Sequence, residues 1–248
     1  LLFVRDYPSD VGLRAYGAPP DSDAGVRVAV HEGGWRAVRV LARAARTRTF
    51  WMLAGGFAIC GASTNGLIGT HFVSAAHDHG MAHTAAASLL ALIGIFDVAG
   101  TVFSGWLTDR VDPRVLLVVY YTLRGLSLIL LPTLFAPSVE PPMWGFILFY
   151  GLDWIATVPP TVALCREWYG AEGPIVFGWV FAAHQVGAAL AATGAGAIRD
   201  LNGSYDLAFY VAGGLCAAAA LMSAAITRRV PVPAPSDLAG PTQPFTVG

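Results

Sequence analysis

The feature that most constrains the fold of this chain is a series of long segments without charged side chains. No Asp, Glu, Lys or Arg occurs from Thr49 to His77, or from Gly173 to Ile198. A helix that crosses the hydrocarbon core of a bilayer needs about 20 mainly apolar residues, and both segments exceed this length. Because charged side chains are costly in hydrocarbon, these segments predict transmembrane helices.

Six such spans are predicted, which makes the chain an all-α membrane protein. Their approximate limits are residues 51–74, 84–106, 115–136, 143–165, 175–197 and 207–226. The spans are too long and too apolar for membrane strands, and the ten-residue alternation of a barrel is missing. Pro159-Pro160 either kinks the fourth span just below Asp153 or is tolerated without a functional role, as prolines in membrane helices often are. The composition agrees, since 55% of the 248 residues are hydrophobic and only 12% are charged.

Composition and motifs also narrow the functional classes. A formal net charge of −1 provides no basic field for nucleic acid. The sequence contains no Walker loop, HExxH or GxSxG motif, so ATP-driven transport and common hydrolase chemistry lack support and no cofactor is expected. The histidines at 77, 79 and 83 are expected to lie in a solvated loop rather than to bind zinc. Isolated thiols in apolar segments are predicted to be buried and inert; they are Cys60, Cys165 and Cys216.

The distribution of arginines predicts the orientation of the spans. All 15 basic residues are Arg. If the N-terminus is cytoplasmic, thirteen of them lie in the inside segments 1–50, 105–114, 166–174 and 227–248. The opposite loops hold one, Arg199, and Arg124 lies within a span. The positive-inside rule therefore predicts that both termini are cytoplasmic.

The two ends of the chain are predicted to lie outside the bilayer. In residues 1–50, Arg36, Arg39, Arg43 and Arg46 recur at spacings that place them on one helical face. A basic amphipathic helix on the anionic inner leaflet and a solvated linker with incidental arginines both fit this pattern. Residues 51–226 form the six-span bundle, and the Pro-rich residues 227–248 are predicted to be a flexible tail.

The decapeptide GWLTDRVDPR at 105–114 is a polar stretch inside the most apolar region. It is predicted to be a tight cytoplasmic loop between the second and third spans. Gly105 is expected to let the end of the second span lie close against a neighbouring helix. Asp109 and Arg110 are expected to anchor the loop to other helix ends, and Pro113 to begin the next helix. An ordinary positive-inside turn, which needs only Arg110 and Arg114, accounts for the same composition.

This loop resembles the signature G-x-L-x-D-R-x-x-x-R of the major facilitator superfamily. The matching residues are Gly105, Leu107, Asp109, Arg110 and Arg114. The loop departs from the family pattern at Asp112 and Pro113, where the family often has Gly followed by a basic residue. In that family the signature lies between helices two and three of each six-helix half, as here. The resemblance implies that the loop takes part in a conformational switch.

Other segments extend the resemblance over almost the whole chain. Residues 5–17 resemble the central cytoplasmic loop of the family, and residues 120–132 and 177–196 resemble helices nine and eleven of bacterial members that handle small organic anions. The resemblance implies that the six spans are helices seven to twelve, built from inverted three-helix repeats. The chain is then a C-terminal half in a bacterial inner membrane. Its expected partners are the lipid bilayer and either a missing six-helix half or a second copy.

Four ionisable residues fall near the middle of the predicted spans. At 1.5 Å per residue, Asp97, Arg124, Asp153 and His184 lie roughly 14–18 Å from a membrane surface. Transporters of this kind bind substrates and coupling ions at that depth. A structural role fits each residue as well, since Arg124 also serves as an ion-pair partner for either aspartate. Asn65, a polar residue in the first span, is either a substrate contact or a helix-packing residue.

The predicted function is alternating-access transport of a small organic anion, coupled to protonation of Asp153 or Asp97, with His184 as a further candidate. Monocarboxylate carriers of the family often have an Arg one turn after an Asp like Asp97, where this chain has Thr101. The cationic partner of an anion is therefore expected to be Arg124, a protonated His184 or a group in the missing half. The alternative is a half-size membrane protein that binds or scaffolds without transporting.

Overall fold

The structure is a computed structural model that describes residues 34–228. The predictions for the loop at 5–17 and for the tail beyond Arg228 lie outside the described residues. The boundary between two units of the chain falls between Val38 and Arg39. The described residues form nine α-helices: α1 Trp35–Ala44, α2 Arg48–Gly61, α3 Gly69–Asp78, α4 His83–Thr108, α5 Pro113–Leu130, α6 Pro141–Asp153, α7 Val158–Tyr169, α8 Gly173–Asn202 and α9 Asp206–Ala224. A π-helical segment, Ala62–Ile68, joins α2 to α3.

Five helical stretches of the described chain are long and apolar enough to cross a membrane. They are Arg48–Asp78, His83–Thr108, Pro113–Leu134, Pro141–Asn202 and Asp206–Ala224. The fourth stretch has 62 residues and would be about 90 Å long if straight, three times the thickness of the hydrocarbon core. It reverses at Gly170, which has a left-handed φ of 54°, so that α7 and α8 pack on each other. It therefore holds two spans, and the six-span fold is confirmed.

We number the spans 1 to 6 in chain order, as residues 48–78, 83–108, 113–134, 141–169, 173–202 and 206–224. Their ends follow from local sequence. Thr47 caps span 1 by accepting a hydrogen bond from the amide of Phe50 (3.3 Å). Asp112 caps span 3 by accepting one from the amide of Arg114 (2.9 Å), and Pro113 begins the helix as predicted.

The contacts between spans follow an internal two-fold pattern. Span 1 packs on spans 2, 5 and 6, and span 4 packs on spans 5, 2 and 3, while spans 3 and 6 pack on each other. Exchanging spans 1–3 with spans 4–6 converts each of these pairs into a pair of the same set, and the pair of spans 3 and 6 maps onto itself. The smaller contact between spans 5 and 6 lies outside this pattern. Because each repeat has three spans, the second repeat enters the membrane from the opposite side. This arrangement is the inverted three-helix repeat that the resemblance implied.

Glycines allow close backbone contact in the three principal pairs of spans. A Cβ added at Gly187 of span 5 would overlap a backbone carbonyl of span 1, and one at Gly100 of span 2 would overlap a carbonyl of span 4. In spans 3 and 6, Cβ atoms at Gly125 and Gly213 would lie 3.0 and 2.9 Å from each other's carbonyl oxygens. Small residues at such positions are typical of helix packing in membranes.

The prediction that Gly105 lies close against a neighbour is wrong. A Cβ added at Gly105 would meet nothing within 4 Å. Span 2 instead approaches span 4 deeper in the bundle. The contact is made through Gly100 and through Ser104, whose hydroxyl donates to the carbonyl of Ala156. A glycine near a helix end therefore did not mark the closest contact.

The basic stretch before span 1 is helical, forming α1. Val40 and Ala44 on this helix are buried, whereas Arg39 and Arg43 are exposed. Arg43 forms an ion pair with Glu172, in the turn between spans 4 and 5. The position of α1 relative to a lipid surface stays a prediction.

Candidate functional site

Arg124 in span 3 is the most deeply buried charged side chain among the described residues, at 1% exposure. It lies between two apolar clusters of the bundle, since Tyr121 belongs to one and Leu128 to the other. The position of Arg124 in its span therefore agrees with the mid-depth placement predicted from the sequence.

The guanidinium of Arg124 binds span 4 at the point where that helix is interrupted. Nε donates to Oδ2 of Asp153 (2.6 Å). One terminal nitrogen donates to the carbonyl oxygens of Asp153 and Trp154, and the other contacts Sγ of Cys60 in span 1 (3.0 Å). Arg124 of span 3 thus binds span 4 through one ion pair and two backbone carbonyls, and it contacts span 1 through the thiol of Cys60.

The interruption of span 4 follows from Pro159-Pro160. Proline has no N–H, so the helical hydrogen bonds to the carbonyls of Ile155 and Ala156 are missing. The chain forms turns between α6, which ends at Asp153, and α7, which begins at Val158. A kink is therefore present at this point, and it takes the form of a break in the helix.

Side chains of span 2 bind the backbone groups released by this break. Oδ1 of Asp97 accepts hydrogen bonds from the amide of Ile155 (2.9 Å) and from the hydroxyl of Thr101 (3.2 Å). The Ser104 hydroxyl donates to the carbonyl of Ala156. Asp97 and Arg124 therefore hold the same break from two sides. The ion pair of Arg124 is formed with Asp153 and not with Asp97.

Cys60 connects the Arg124 pair to His184 of span 5. Sγ of Cys60 lies 3.3 Å from Oγ1 of Thr157, and the His184 imidazole neighbours the same thiol. The His184 ring stacks on Phe181 with 5.4 Å between centroids. Its Nδ1 is buried and has no hydrogen-bond partner among the described residues. Burial of Cys60 was predicted, but its polar surroundings were missed because no spacing in the sequence places Arg124 beside it.

Span 1 departs from α-helical geometry at a similar depth. Residues Ala62–Ile68 form π-helical turns, which are frequent at functional sites. Asn65 lies on the exposed side of this segment, and its carbonyl accepts a hydrogen bond from the Thr70 hydroxyl (2.9 Å). Trp154 of the span 4 break approaches span 1 at Gly69. The two spans related by the internal pattern, 1 and 4, are thus both irregular in their middle.

A second arginine of span 3, Arg114, organises the loop at 105–114. Its guanidinium donates to Asp112 (3.1 Å) and to Glu167 near the end of span 4. It also donates to the carbonyls of Ile226 and Thr227, which follow span 6 (3.1 Å each). Arg114 therefore ties spans 3, 4 and 6 together at this end of the bundle.

Asp109 and Arg110 are exposed and bind no other helix end among the described residues, so their anchoring role stays a prediction. Arg110 folds back on its own helix, donating to the Trp106 carbonyl (2.9 Å) and covering the Trp106 ring at 4.2 Å. The carbonyl of Leu107 closes the turn by accepting the amide of Arg110 (2.9 Å). Among the described residues, the contacts that anchor the loop are made by Arg114 and by Asp112, one of the residues that departs from the family signature.

Asp112 lies between spans and has a shifted pKa. Burial raises its pKa, but hydrogen bonds from the amide and guanidinium of Arg114 and from Arg228 outweigh this effect. The pKa of Asp112 is therefore held below its ordinary value. The ionised carboxylate is the form that the loop requires.

These features define a class: a polytopic helical membrane protein with an inverted three-span repeat and a charged cluster at mid-depth. The sequence model of the Major Facilitator Superfamily matches residues 52–247. The chain therefore belongs to the major facilitator superfamily, a family of transporters, as the signature loop indicated.

Curated relatives agree with this assignment. The chain is 33% identical over 167 residues to the uncharacterized MFS-type transporter YcxA of Bacillus subtilis (strain 168), covering 65% of this chain and 40% of that protein. It is 35% identical over 147 residues to monocarboxylate transporter 13 of Bos taurus, covering 58% of this chain and 34% of the relative. Monocarboxylate transporter 12-B of Danio rerio is 28% identical over 171 residues, which cover 66% of this chain and 35% of the relative. The matched region thus spans 40% or less of the length of these relatives.

Proposed function

We propose that this chain supplies one half of a carrier that moves a small organic anion across a membrane by alternating access. Two of the relatives are named monocarboxylate transporters, which supports a monocarboxylate-like substrate. The observation that carries the proposal is the break in span 4, held at mid-depth by Asp97 and Arg124. Substrate and ion sites of secondary transporters are typically built at such discontinuous helices.

The Arg124–Asp153 pair suggests how an anion and a proton are coupled. With Asp153 ionised, the pair is neutral and offers an anion no net charge. Protonation of Asp153 leaves Arg124 with an uncompensated positive charge, which a bound monocarboxylate then neutralises. Because an unpaired charge is costly at this depth, the proton and the anion bind together. The expected stoichiometry of transport is one proton per anion.

The two other candidates have supporting roles in this scheme. The carboxylate of Asp97 accepts a hydrogen bond from the amide of Ile155. Protonation of Asp97 therefore weakens the contact that holds span 2 to the break in span 4. His184 contacts the same thiol as Arg124, and in its protonated form it is the alternative cation for the substrate. Arg124 therefore has the substrate-binding role and Asp153 the proton-binding role in the primary scheme.

Exposed side chains suggest where the substrate path lies. Spans 1 and 5 expose polar residues such as Asn65, Thr70 and Gln185, beside large apolar residues such as Val186 and Leu190. Spans 2 and 3 expose large apolar residues such as Val102 and Leu123, which suit contact with lipid. We place the substrate path along spans 1 and 5, where Asn65 contacts the substrate.

The remaining parts of the proposal concern the assembly. The carrier lies in a bacterial inner membrane as a proton symporter, with both termini of this chain on the arginine-rich cytoplasmic side. Its partner is a second six-span half or a second copy of this chain, because one half encloses only one wall of a cavity. The loop at 105–114 takes part in the conformational switch through Arg114.

The test measures uptake of radiolabelled lactate and pyruvate by the complete carrier in liposomes with imposed pH gradients. Wild-type uptake is expected to rise with an inward proton gradient. The double variant Asp153→Asn, Asp97→Asn is expected to lose this dependence, while the control Asp200→Asn, at an exposed carboxylate of span 5, keeps it. Uptake by the folded double variant that matches wild type at every gradient contradicts the proposal.

A further inference from the structure

A cavity of about 160 Å³ lies beside the Arg124–Asp153 pair, between spans 2, 3 and 4. Arg124 and Asp153 form part of its wall, and Tyr120 and Ser127 line it as well. The rest of the lining is mainly apolar. The cavity thus combines a polar end at mid-depth with apolar walls, and the transport scheme uses only the ion pair at its polar end.

One carboxylate oxygen of Asp153, a residue that lines the cavity, lacks a hydrogen-bond partner among the described residues. Oδ2 of Asp153 accepts from Arg124 (2.6 Å), but Oδ1 is buried and unpartnered. The side chain of Asp153 is 10% exposed. A buried acceptor without a donor is costly by about 1–3 kcal/mol, so a molecule that brings a donor to this oxygen is stabilised there.

The mouth of the cavity opens between the spans, on the side of the bundle. Phe103, Leu123 and Phe149 line it and are 57%, 46% and 63% exposed. These large apolar side chains continue the apolar faces of spans 2 and 3. The cavity therefore opens toward the acyl chains of the bilayer and away from the proposed substrate path.

The charges at the polar end select the chemistry of the ligand. Arg124 and Asp153 neutralise each other, so a charged head group would leave a net charge in a medium of low dielectric constant. A purely apolar molecule would leave Oδ1 without a donor. Water would supply a donor but would leave the apolar walls of the cavity hydrated. A neutral hydroxyl on an apolar chain satisfies both ends of the cavity.

We propose that this cavity binds a neutral, hydroxyl-bearing amphiphile from the bilayer, whose hydroxyl donates to Oδ1 of Asp153. A volume of about 160 Å³ equals about five water molecules at roughly 30 Å³ each. The cavity therefore takes the hydroxyl and the first carbons, and the rest of the chain lies past Leu123 and Phe149. Occupancy favours the ionised carboxylate, so it is expected to inhibit proton-coupled transport. That consequence rests on the proposed function, whereas binding does not.

The test is photolabelling of the full-length protein in phosphatidylcholine nanodiscs. The probe is a diazirine-bearing hexadecanol, and its methyl ether is the control because it keeps the chain and lacks the donor. The alcohol is expected to label peptides of spans 3 and 4, with competition by unlabelled hexadecanol. The ether is expected to label them about tenfold less, because one hydrogen bond to a charged group is lost.

Two variants address the cavity without touching the ion pair. Ser127→Phe fills the cavity and is expected to abolish the labelling. Its matched control is Ser88→Phe, at an exposed serine whose hydroxyl likewise bonds a carbonyl four residues earlier in its helix. If Ser127→Phe does not fold, Leu123→Trp, which narrows the mouth, replaces it. Equal labelling by alcohol and ether, labelling only outside spans 2, 3 and 4, or unchanged labelling of the folded cavity variant overturns the proposal.

Discussion

Two arginines of span 3 bind similar sets of groups at different depths. Arg124 binds the carboxylate of Asp153 and the carbonyls of a broken helix. Arg114 binds the carboxylate of Glu167 and the carbonyls that follow span 6. Each arginine therefore satisfies one acid of span 4 together with backbone acceptors. The planar guanidinium suits this task, because it presents five donors in a fixed geometry.

The two sites differ in their access to water. Asp153 has a side-chain exposure of 10%, against 32% for Glu167. When a partner is removed near the loop, water can replace it, so that the loss is small. At mid-depth no water is at hand, and a lost partner leaves an unpaired buried charge. The comparison suggests that the Arg114 network can open during a conformational change while the Arg124 pair opens only when its charge is neutralised.

The largest predicted effect comes from making the same substitution at both depths. Arg124→Gln leaves Asp153 without its cation and is expected to cost about 3–5 kcal/mol. Arg114→Gln is expected to cost about 1–2 kcal/mol, because its partners reach water. Thermal unfolding of the purified full-length protein in detergent measures both. Equal losses would show that depth does not decide the energetics.

A paired replacement controls for the effect of charge. The variant Arg124→Met, Asp153→Leu removes both charges at once and is expected to recover most of the stability lost in Arg124→Gln. If it folds well but no longer responds to a proton gradient, the pair has a functional role. If it also transports like wild type, the pair is structural only.

An intermediate effect on stability is predicted for two glycines of span 2. Gly100 lies inside the bundle, and Gly105 lies at the start of the loop at 105–114. Gly100→Ala pushes a methyl group against the carbonyl of Leu152 and is expected to cost about 1–3 kcal/mol. Gly105→Ala meets no neighbour within 4 Å and is expected to stabilise the helix by about 0.5–1 kcal/mol. The two unfolding temperatures should move in opposite directions. A loss of stability in Gly105→Ala would mean that the loop packs more closely than described.

The smallest effect is predicted for the pH dependence of the loop network. The pKa of Asp112 is lowered in the folded protein, so folding favours its ionised form. This contribution is complete above the ordinary pKa of about 3.9 and is lost as the pH falls through the lowered value. The difference in unfolding temperature between wild type and Asp112→Asn should therefore vanish at low pH. The control variant is Asp109→Asn, at an exposed acid of the same loop.

Much of the fold could be predicted from the sequence, because membrane spans depend on properties that add up along the chain. Hydropathy placed six spans close to their observed limits, and Pro159-Pro160 placed the break in span 4, since a missing N–H acts within its own helix. The residues of the signature loop were enough to identify the family. The buried charges were also found, because an ionisable residue in an apolar span is conspicuous without any structure.

The partners of those residues were decided only by the tertiary structure. The sequence left both Asp97 and Asp153 as partners for Arg124, treated Cys60 as inert, and did not indicate the contacts that Arg114 makes with spans 4 and 6. Each of these points depends on how one helix is rotated relative to its neighbours. A shift of one residue turns a side chain by about 100° around the helix axis, and close packing at glycines sets that rotation. Local composition does not encode this rotation, because it arises only when the six spans assemble.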